Sequence, residues 1–418
     1  MLGRVYYGWF IVGAGLLSLL FSAGGTYYSF GVFMVALMGE FGWSRGAVSG
    51  GLSAWWLASA LAMPLVGRLL DVYGARKVMA LGALLAGLTM GLLSRTNSLG
   101  QLYLLYGLLG FCGASLGLVS VGSLVARWFS RRRGMATGIA VSGIGLGGLL
   151  VVPLTGLLVA AWGWRQAYLF LGALVWLVLL PVVLAVVRPH PPAQEAEAPE
   201  EVEAPLERPW TLRRAVSTTS FWLVTLSLFL GHLGLFGVLT HQVPFATDLG
   251  LPVPRAALLL AFTAGMGVVG KVTFGALADR LGPPRGTALS LLLQALAVVI
   301  LLGTRDPVWL WAFVVLFGFS MGGLAALVPV LASHFFGLSA VGSILGAILP
   351  ATAVAAALGP LVAGRVYDLA GSYQGAFVTF IVGYGVAAAA ILLARRPSLG
   401  YNSAARGAPP GGCWSSLP

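Results

Sequence analysis

Apolar runs long enough to cross a lipid bilayer follow one another along almost the whole chain. Twelve of them, separated by short breaks, can be drawn on the sequence: residues 7–37, 46–70, 77–94, 100–126, 134–160, 165–187, 217–246, 255–278, 286–303, 308–335, 339–366 and 373–394. A helix needs about 20 mainly apolar residues to cross a hydrocarbon core of ~30 Å. The runs lack the alternation of membrane β-strands. The sequence therefore predicts an all-α integral membrane protein with twelve transmembrane helices.

Composition argues against the soluble classes of protein. Of the 418 residues, 59% are hydrophobic and only 9% are charged, which is too little charge to cover a soluble surface. The net charge of +12 does not indicate a nucleic-acid partner, because the basic residues stand at the ends of apolar runs. The sequence offers neither a nucleophile–base pair nor a metal-ligand spacing. We therefore expect no enzyme activity, no cofactor and no metal, with the lipid bilayer as partner.

One break between apolar runs differs from the others in composition. Residues 189–209 contain six glutamates and six prolines, which is typical of a disordered linker. This segment divides the chain into an N-terminal six-helix bundle at 1–188, a cytoplasmic linker at 189–216, a second six-helix bundle at 217–394 and a cytoplasmic tail at 395–418.

Two glycine-containing turns repeat along the chain. "GRLLDVYGARK" begins at Gly67 and "GALADRLGPPR" begins at Gly275, a shift of 208 residues. The same shift pairs Asp71 with Asp279 and Gly74 with Gly282. The repeat indicates two related, pseudo-symmetric bundles of six helices. Many secondary transporters have this architecture, and their substrate sites lie near the bilayer midplane between the halves.

Basic residues predict the orientation, because cytoplasmic loops are rich in Lys and Arg. With the N-terminus placed inside, seventeen of the 24 basic residues fall on the cytoplasmic side, six fall outside and Lys271 is embedded. We therefore expect a multi-pass protein of the cytoplasmic (inner) membrane with both termini in the cytoplasm.

Two sequence stretches resemble a known transporter family. The turn from Gly67 to Lys77 resembles the loop between helices 2 and 3 of the major facilitator superfamily, G-x-x-x-D-x-x-G-R-[KR], with Ala75 in place of the first basic residue. "RWFSRRRGMATGIAVSGIGLGG" at 127–148 is similar to a motif of monocarboxylate transporters. "YYGWFIV" and "EFGWSR" are similar to the bacterial branch of that group, which includes relatives of the oxalate/formate antiporter.

This resemblance implies the major facilitator fold, whose two bundles open alternately to the two sides of the membrane. It also implies a gate at the cytoplasmic helix ends, where acidic and basic side chains pair and hold one conformation closed. Simple helix capping is the alternative role for these residues. The candidate gate residues are Gly67, Asp71, Gly74, Arg76, Lys77, Arg127, Arg131, Arg132, Gly275, Asp279 and Arg280.

Lys271 interrupts the apolar run 255–278, eight residues before Asp279. At 1.5 Å per residue it lies about 12 Å from the cytoplasmic end of its helix, near the centre of the hydrocarbon core. A charge at that depth costs roughly 2.5–3.5 kcal/mol on insertion scales. No carboxylate is predicted inside the membrane, so we expect an anionic substrate to be its partner. The alternative is a neutral lysine, hydrogen-bonded to backbone in a wet cavity.

Three positions of this chain align with functional positions of monocarboxylate transporters but carry different residue types. Lys271 falls where they carry an arginine in helix 8. Gly267 falls at the place of their aspartate one turn earlier, and Tyr27 at the place of their helix 1 lysine. A desolvated lysine can release its proton, whereas an arginine cannot. Lys271 is therefore a candidate both for binding a carboxylate and for responding to a co-transported proton.

Other side chains in the apolar runs can contact a bound anion or carry a proton. Tyrosine and serine hydroxyls donate to a carboxylate, and a histidine titrates near neutral pH. The simpler alternatives are aromatic packing for the tyrosines, a bond to their own helix for the serines and a packing role for the histidines. The substrate-binding candidates are Lys271, Tyr27, Tyr28, His232, Ser115 and Ser320, and the proton-coupling candidates are Lys271, His232 and His241.

The sequence favours a secondary transporter of small organic anions, above all monocarboxylates such as lactate or pyruvate. It would work by alternating access, as a monomer, with a proton as co-substrate. Exchange of two carboxylates, as in oxalate–formate antiporters, is the next interpretation. Efflux of lipophilic compounds and a non-transporting anion sensor remain alternatives, and they predict indifference to Lys271 and binding without flux, respectively.

Overall fold

The computed structural model describes residues 6–129, 133–188, 210–303, 307–337 and 341–396. Within these ranges the regular secondary structure is helical, and twelve helices are long and apolar enough to cross a membrane. They are α1 (Gly8–Phe41), α2 (Arg45–Tyr73), α3 (Ala75–Leu93), α4 (Leu99–Leu116 with Leu118–Trp128), α5 (Arg133–Trp162), α6 (Trp164–Val186), α7 (Thr219–Asp248), α8 (Val253–Leu281), α9 (Pro283–Gly303), α10 (Pro307–Phe336), α11 (Val341–Ala370) and α12 (Gln374–Leu393). The predicted all-α fold with twelve membrane helices is confirmed.

The pattern of packing between helices shows two related halves. In the first half α1 packs on α5, α2 on α4, and α3 on α6; in the second half the corresponding pairs are α7 with α11, α8 with α10, and α9 with α12. Contacts between the halves follow the same relation, because α2 packs on α11 and α5 packs on α8. These two seams exchange under a twofold operation that maps each half onto the other, as expected for the major facilitator fold.

The repeated turns have nearly the same backbone in both halves. Gly74, between α2 and α3, has φ 80 and ψ 156, and Gly282, between α8 and α9, has φ 83 and ψ 147. Such positive φ angles are strained for residues with a Cβ, so glycine is required where the chain reverses this tightly. The sequence repeat is thus a repeat of backbone geometry.

Two membrane helices depart from regular α-helix at glycines. In α1, residues Ala23–Tyr28 form a π-helical segment that contains Gly24 and Gly25. Single π-turns of this kind are frequent at functional sites. In α4 the helix is interrupted at Gly117, which adopts an extended conformation with φ −90 and ψ −161. The sequence predicted both helices as continuous runs, because apolar composition carries no information about such local changes.

The predicted linker and tail lie largely outside the described residues. The linker was predicted to extend to residue 216, but its last residues form a short helix, Leu212–Val216, in which the hydroxyl of Thr211 accepts a hydrogen bond from the backbone N–H of Arg214. The domain boundaries drawn from the sequence remain a prediction.

Glycine permits the close approach of α5 to α1, and this makes the packing testable. A Cβ at Gly143 would overlap the backbone carbonyl of Leu16, whereas a Cβ at Gly138, on the same helix, would meet no atom within 4 Å. We expect Gly143→Val to destabilise the protein, since overpacking costs about 1–3 kcal/mol. Gly138→Val is the matched control. Thermal unfolding of both variants in detergent checks this, and equal midpoints would contradict the packing.

Candidate functional site

Arg45, in the first turn of α2, binds several groups of the other half at one end of the molecule. Its Nη2 atom lies 2.6 Å from Oδ1 of Asp248 at the end of α7, and its Nη1 donates to the hydroxyl of Tyr373. The guanidinium carbon lies 3.8 Å from the ring centroid of Tyr367. The Arg45 side chain is only 8% exposed and that of Asp248 is 34% exposed, so water screens this charge-assisted pair less than it screens a pair on the open surface.

Asp368 adds a second contact between the halves at this end. Its carboxylate accepts hydrogen bonds from the backbone N–H groups of Arg45, at 3.0 Å, and Gly46, at 2.9 Å. The N–H groups in the first turn of a helix have no partner within the helix itself, and the helix dipole favours a negative charge beside them. One half of the protein therefore caps a helix of the other. We call Arg45, Asp248, Tyr367, Asp368 and Tyr373 the Arg45 cluster.

His241 on α7 extends the Arg45 cluster inward. The side chain is 1% exposed, with Nε2 at 3.0 Å from the carbonyl oxygen of Pro360 and 3.2 Å from Oγ of Ser49, and Nδ1 at 2.8 Å from the Tyr373 hydroxyl. A carbonyl can only accept, so Nε2 carries the hydrogen and Nδ1 accepts from Tyr373. Burial raises the pKa of Tyr373, so its hydroxyl stays protonated and able to donate.

Hydrogen bonds at the Arg45 cluster therefore run in one direction. Arg45 donates to Tyr373, Tyr373 donates to His241, and His241 donates to the carbonyl of Pro360. A second proton on His241 would turn Nδ1 from an acceptor into a donor facing Tyr373. It would also add a cation close to Arg45. This series of hydrogen bonds therefore requires a neutral His241.

The seam between α5 and α8 begins at the same end of the molecule. Cβ atoms at Gly156 and Gly148 of α5 would contact Ala257 and Ala264 of α8, respectively. Further along, a Cβ at Gly145 would contact Val268, while Gly138 of α5 has no neighbour within 4 Å. The two halves are in close contact from the Arg45 cluster to about the level of Val268, and space opens beyond it.

Aromatic side chains fill the space between the halves on the opposite seam. The ring centroid of Tyr27 in α1 lies 5.5 Å from that of Trp55, 5.4 Å from that of Trp56 and 6.1 Å from that of Phe236 in α7. The indole nitrogens of Trp55 and Trp56 are buried and have no hydrogen-bond partner among the described residues. Leaving a buried donor unpaired costs about 1–3 kcal/mol.

Lys271 lies where the α5–α8 seam opens. It follows Ala264 by seven residues and Val268 by three, so it shares the helix face that contacts α5. The helices run antiparallel, because the contact moves from Gly148 to Gly145 on α5 as it moves from Ala264 to Val268 on α8. One further step of about three residues places Ser142 of α5 roughly level with Lys271. Lys271 is partly buried and makes no hydrogen bond or ion pair with any side chain that the structure describes.

The predicted residues Tyr28 and His232 also border the space between the halves. A Cβ at Gly148 of α5 would lie 3.4 Å from the ring of Tyr28, which places this tyrosine at the α5–α8 seam. His232 is one turn of α7, about 6 Å, beyond Phe236 in the direction away from the Arg45 cluster. Its Nδ1 lies 2.7 Å from the backbone oxygen of Leu228 in its own helix. Along the helix axes, His232 and Lys271 both lie beyond the aromatic side chains, toward the open end.

Two serines among the substrate-binding candidates have their hydroxyls bonded within their own helices. The Ser115 hydroxyl donates to the carbonyl of Cys112 at 2.7 Å and packs against Gly82 of α3, inside the first half. Ser320 is 0% exposed, and its hydroxyl donates to the carbonyl of Phe317 at 3.0 Å. Both therefore satisfy the hydroxyl within their own helix, the alternative that the sequence left open.

The candidate gate residues occupy the end opposite the Arg45 cluster. Asp71 lies 3.3 Å from Arg127, so this pair joins α2 to α4 within one half. Its side chains are 78% and 28% exposed, and such surface pairs contribute only about 0–1 kcal/mol. Arg131, Arg132 and the side chain of Asp279 lie outside the described residues. The remaining candidates, at the two turns, are Gly67, Gly74, Arg76, Lys77, Gly275 and Arg280.

The Arg45 cluster was not anticipated as a site by the sequence. In the sequence, Arg45, Asp248 and Asp368 stand at the ends of apolar runs. One observation could have indicated the cluster: the predicted orientation places these three residues, one cation and two carboxylates, on the same side of the membrane. Helix-end charges are common, however, and the sequence does not tell which ends meet.

Comparison with known proteins agrees with this architecture. The family model described as Major Facilitator Superfamily matches residues 16–354 and 273–416. Monocarboxylate transporter 3 of Rattus norvegicus is 33% identical over 402 residues, covering 93% of this chain and 79% of its own. Monocarboxylate transporter 13 of Bos taurus is 32% identical, covering 89% and 85% of the two chains. The MFS-type transporter YcxA of Bacillus subtilis is 27% identical, covering 91% and 93%.

Solved structures of transporters share the fold. A bacterial homologue of the lysosomal transporter Spinster, in an inward-facing and occupied conformation, superposes with a TM-score of 0.75 at 16% identity, covering 94% of this chain and 97% of its own. A point mutant of the nucleoside transporter NupG superposes with a TM-score of 0.73 at 14% identity, covering 92% and 98%. The relatives are membrane transporters and not enzymes. The chain belongs to the Major Facilitator Superfamily of membrane transporters, in its monocarboxylate-transporter-like part.

Proposed function

We propose that the protein transports small organic anions, monocarboxylates such as lactate or pyruvate, by alternating access, with Lys271 binding the carboxylate. The observation that carries this proposal is a cation without a partner among the described residues, placed where the seam between the halves opens. A charge in this position is costly unless it is paired. A monocarboxylate supplies the missing charge, and the relatives named monocarboxylate transporters support that class of substrate.

Neighbouring groups complete the proposed substrate site. The unpaired indole N–H groups of Trp55 and Trp56 are donors for carboxylate or keto oxygens once the aromatic side chains separate. Tyr27, Tyr28 and His232 border the same space. The tyrosines present an apolar ring with one hydroxyl each, and His232 presents an imidazole whose Nδ1 lies 2.7 Å from the backbone oxygen of Leu228. An organic anion with a short apolar body matches both kinds of surface.

The orientation drawn from the basic residues places the Arg45 cluster on the outer side of the inner membrane and both termini in the cytoplasm. The closed outer side and the opening beyond Val268 then correspond to an inward-facing state. Exchange to the outward-facing state requires the Arg45 cluster to separate. The two halves would then close against each other at their cytoplasmic helix ends, where Asp71, Arg127 and the repeated turns lie. Each monomer contains a whole site, so we propose a functional monomer.

Coupling to protons is assigned in this proposal to His241, while Lys271 and His232 are the other candidates. Protonation of His241 changes Nδ1 from an acceptor of the Tyr373 hydrogen bond into a donor. It also places a second cation beside Arg45. Both effects weaken the contact between the halves at the outer end. A proton arriving from outside would therefore favour opening to that side, where substrate enters.

Exchange of two carboxylates is the second candidate function. The observation that favours it is that the described carboxylate side chains, Glu40, Asp71, Asp248 and Asp368, stand at helix ends. The region around Lys271 thus offers no described carboxylate to carry a proton across with the substrate. In an exchanger, the lysine would remain paired with one anion or the other throughout the cycle.

Lys271→Gln tests the substrate site. We expect uptake of labelled lactate or pyruvate into proteoliposomes to fall at least about thirtyfold, since losing one partner of a buried charge pair costs about 2–5 kcal/mol. Lys271→Arg should retain part of the uptake, because it keeps the charge. Arg255→Gln, at the other end of α8, is the control. Uptake near that of the wild type in the Lys271→Gln protein would refute the proposed site.

Arg45→Gln tests the outer closure. A single cysteine at position 53, in a background without the natural cysteines, reports access to the seam, because Ser53 is 4% exposed and donates to the carbonyl of Ala357 at 2.6 Å. Arg45→Gln should speed its labelling by a membrane-impermeant maleimide added outside. The control is Arg165→Gln, which breaks the pair with Glu40 at 2.6 Å within one half. Equal labelling in both variants would contradict the role of Arg45.

His241→Gln separates the two coupling schemes. Glutamine can donate to the Pro360 carbonyl but cannot titrate. The variant should therefore lose the stimulation of lactate uptake by an inward proton gradient and keep exchange of labelled for unlabelled lactate. His232→Gln is the companion variant and should keep the stimulation. Loss of stimulation in His232→Gln alone would move the coupling to that residue, and no stimulation in the wild type would favour the exchanger.

A further inference from the structure

A wedge between α2 and α3, backed by α4, contains a cavity of about 280 Å³. Its inner wall consists of buried side chains, among them Val66 at 0%, Val78 at 6% and Cys112 at 1% exposure. Its rim carries Tyr73, which is 58% exposed, and the exposed Lys77. This cavity lies within the first half, apart from Lys271 and the seams.

The interior of the wedge accepts hydrocarbon rather than a polar ligand. Its polar side chain at the inner wall, Ser115, already donates to the carbonyl of Cys112. No acidic residue is among the described side chains that line the cavity, and apart from Cys112 and, at the rim, Lys77, the remaining side chains of the wall are aliphatic or aromatic. Water is poorly retained in such a space, and an empty apolar cavity is destabilising.

The mouth of the wedge opens to the bilayer near one membrane surface. The surrounding faces of α2 and α3 expose apolar side chains, with Leu65 at 48%, Val72 at 72% and Leu81 at 54% exposure. The tight turn at Gly74 lies immediately beside the rim. The occupant therefore comes from the lipid leaflet on the side opposite the Arg45 cluster.

Charge at the mouth selects among lipids. Lys77 lines the rim and Arg76 precedes it, while the nearest acid of this turn, Asp71, is paired with Arg127 at 3.3 Å. Basic residues at the mouth of an interhelical pocket favour anionic headgroups. We propose that the wedge binds one acyl chain of an anionic phospholipid, whose phosphate pairs with Lys77.

Brominated acyl chains test this site, because bromine quenches tryptophan fluorescence only at close range. Phe111 lines the wedge, so Phe111→Trp places a reporter inside it. The Leu88 side chain on α3 is 47% exposed, so Leu88→Trp reports ordinary contact with lipid. The full chain in nanodiscs is titrated with brominated phosphatidylglycerol or phosphatidylcholine, and the wild-type signal is subtracted. Half-quenching of the Phe111→Trp reporter should require about fivefold less brominated phosphatidylglycerol than brominated phosphatidylcholine, as expected for the attraction of one basic side chain to an anionic headgroup.

Second variants separate the parts of the proposal. Lys77→Gln in the Phe111→Trp background should remove the preference for the anionic lipid, while Arg213→Gln, a surface cation at the same end, should keep it. Val66→Phe should reduce quenching by both lipids, because it fills the cavity. Quenching that matches the Leu88→Trp reporter, or a preference that survives Lys77→Gln, would overturn the assignment. The outcome is independent of transport, since only lipid binding is measured.

Discussion

An ammonium group inside an apolar membrane domain has to be reached by water or by a partner of opposite charge. Lys271 has neither hydrogen bond nor ion pair among the described side chains, and it lies between the seam contact at Val268 and the level of Gly138, where a Cβ would meet no atom within 4 Å. The halves are closed at the other end. The closure rests on Arg45, which binds three groups of the second half, and on Asp368, which caps α2 across the interface.

The two ends of the molecule are held together by different means. At the outer end of the proposed orientation the contacts are buried, charge-assisted and made between halves. At the opposite end the Asp71–Arg127 pair is exposed and lies within one half. A proton or a substrate can shift the balance between two such ends by favouring one set of contacts. His241 is well placed for this, because its hydrogen bonds require the neutral ring and link both halves to Tyr373.

Sequence reasoning succeeded where a feature depends on composition or local geometry. The apolar runs gave the twelve helices, the repeated glycines gave two turns of the same positive φ, and the isolated lysine in an apolar run was correctly placed within a membrane helix. It failed where the answer depends on which side of a helix faces which neighbour. Both sides of a membrane helix are apolar, so periodicity does not distinguish a cavity from a helix contact, and it could not choose between the two roles left open for Ser115 and Ser320, whose hydroxyls bond within their own helices. The Arg45 cluster was missed for a related reason, because its members come from four separate helix ends.

The chain has only two lysines, Lys77 and Lys271, and this permits a direct test of the proposed anion site. Protein labelled with ¹⁵N at the lysine side chains gives two Nζ signals, which Lys77→Arg assigns. Solid-state NMR with pyruvate or lactate labelled with ¹³C at the carboxyl carbon then measures the distance from that carbon to each nitrogen. A charge-assisted hydrogen bond to Lys271 predicts a separation within about 4 Å. Bound ligand that shows no dipolar coupling to Lys271, or coupling to Lys77 alone, would contradict the account.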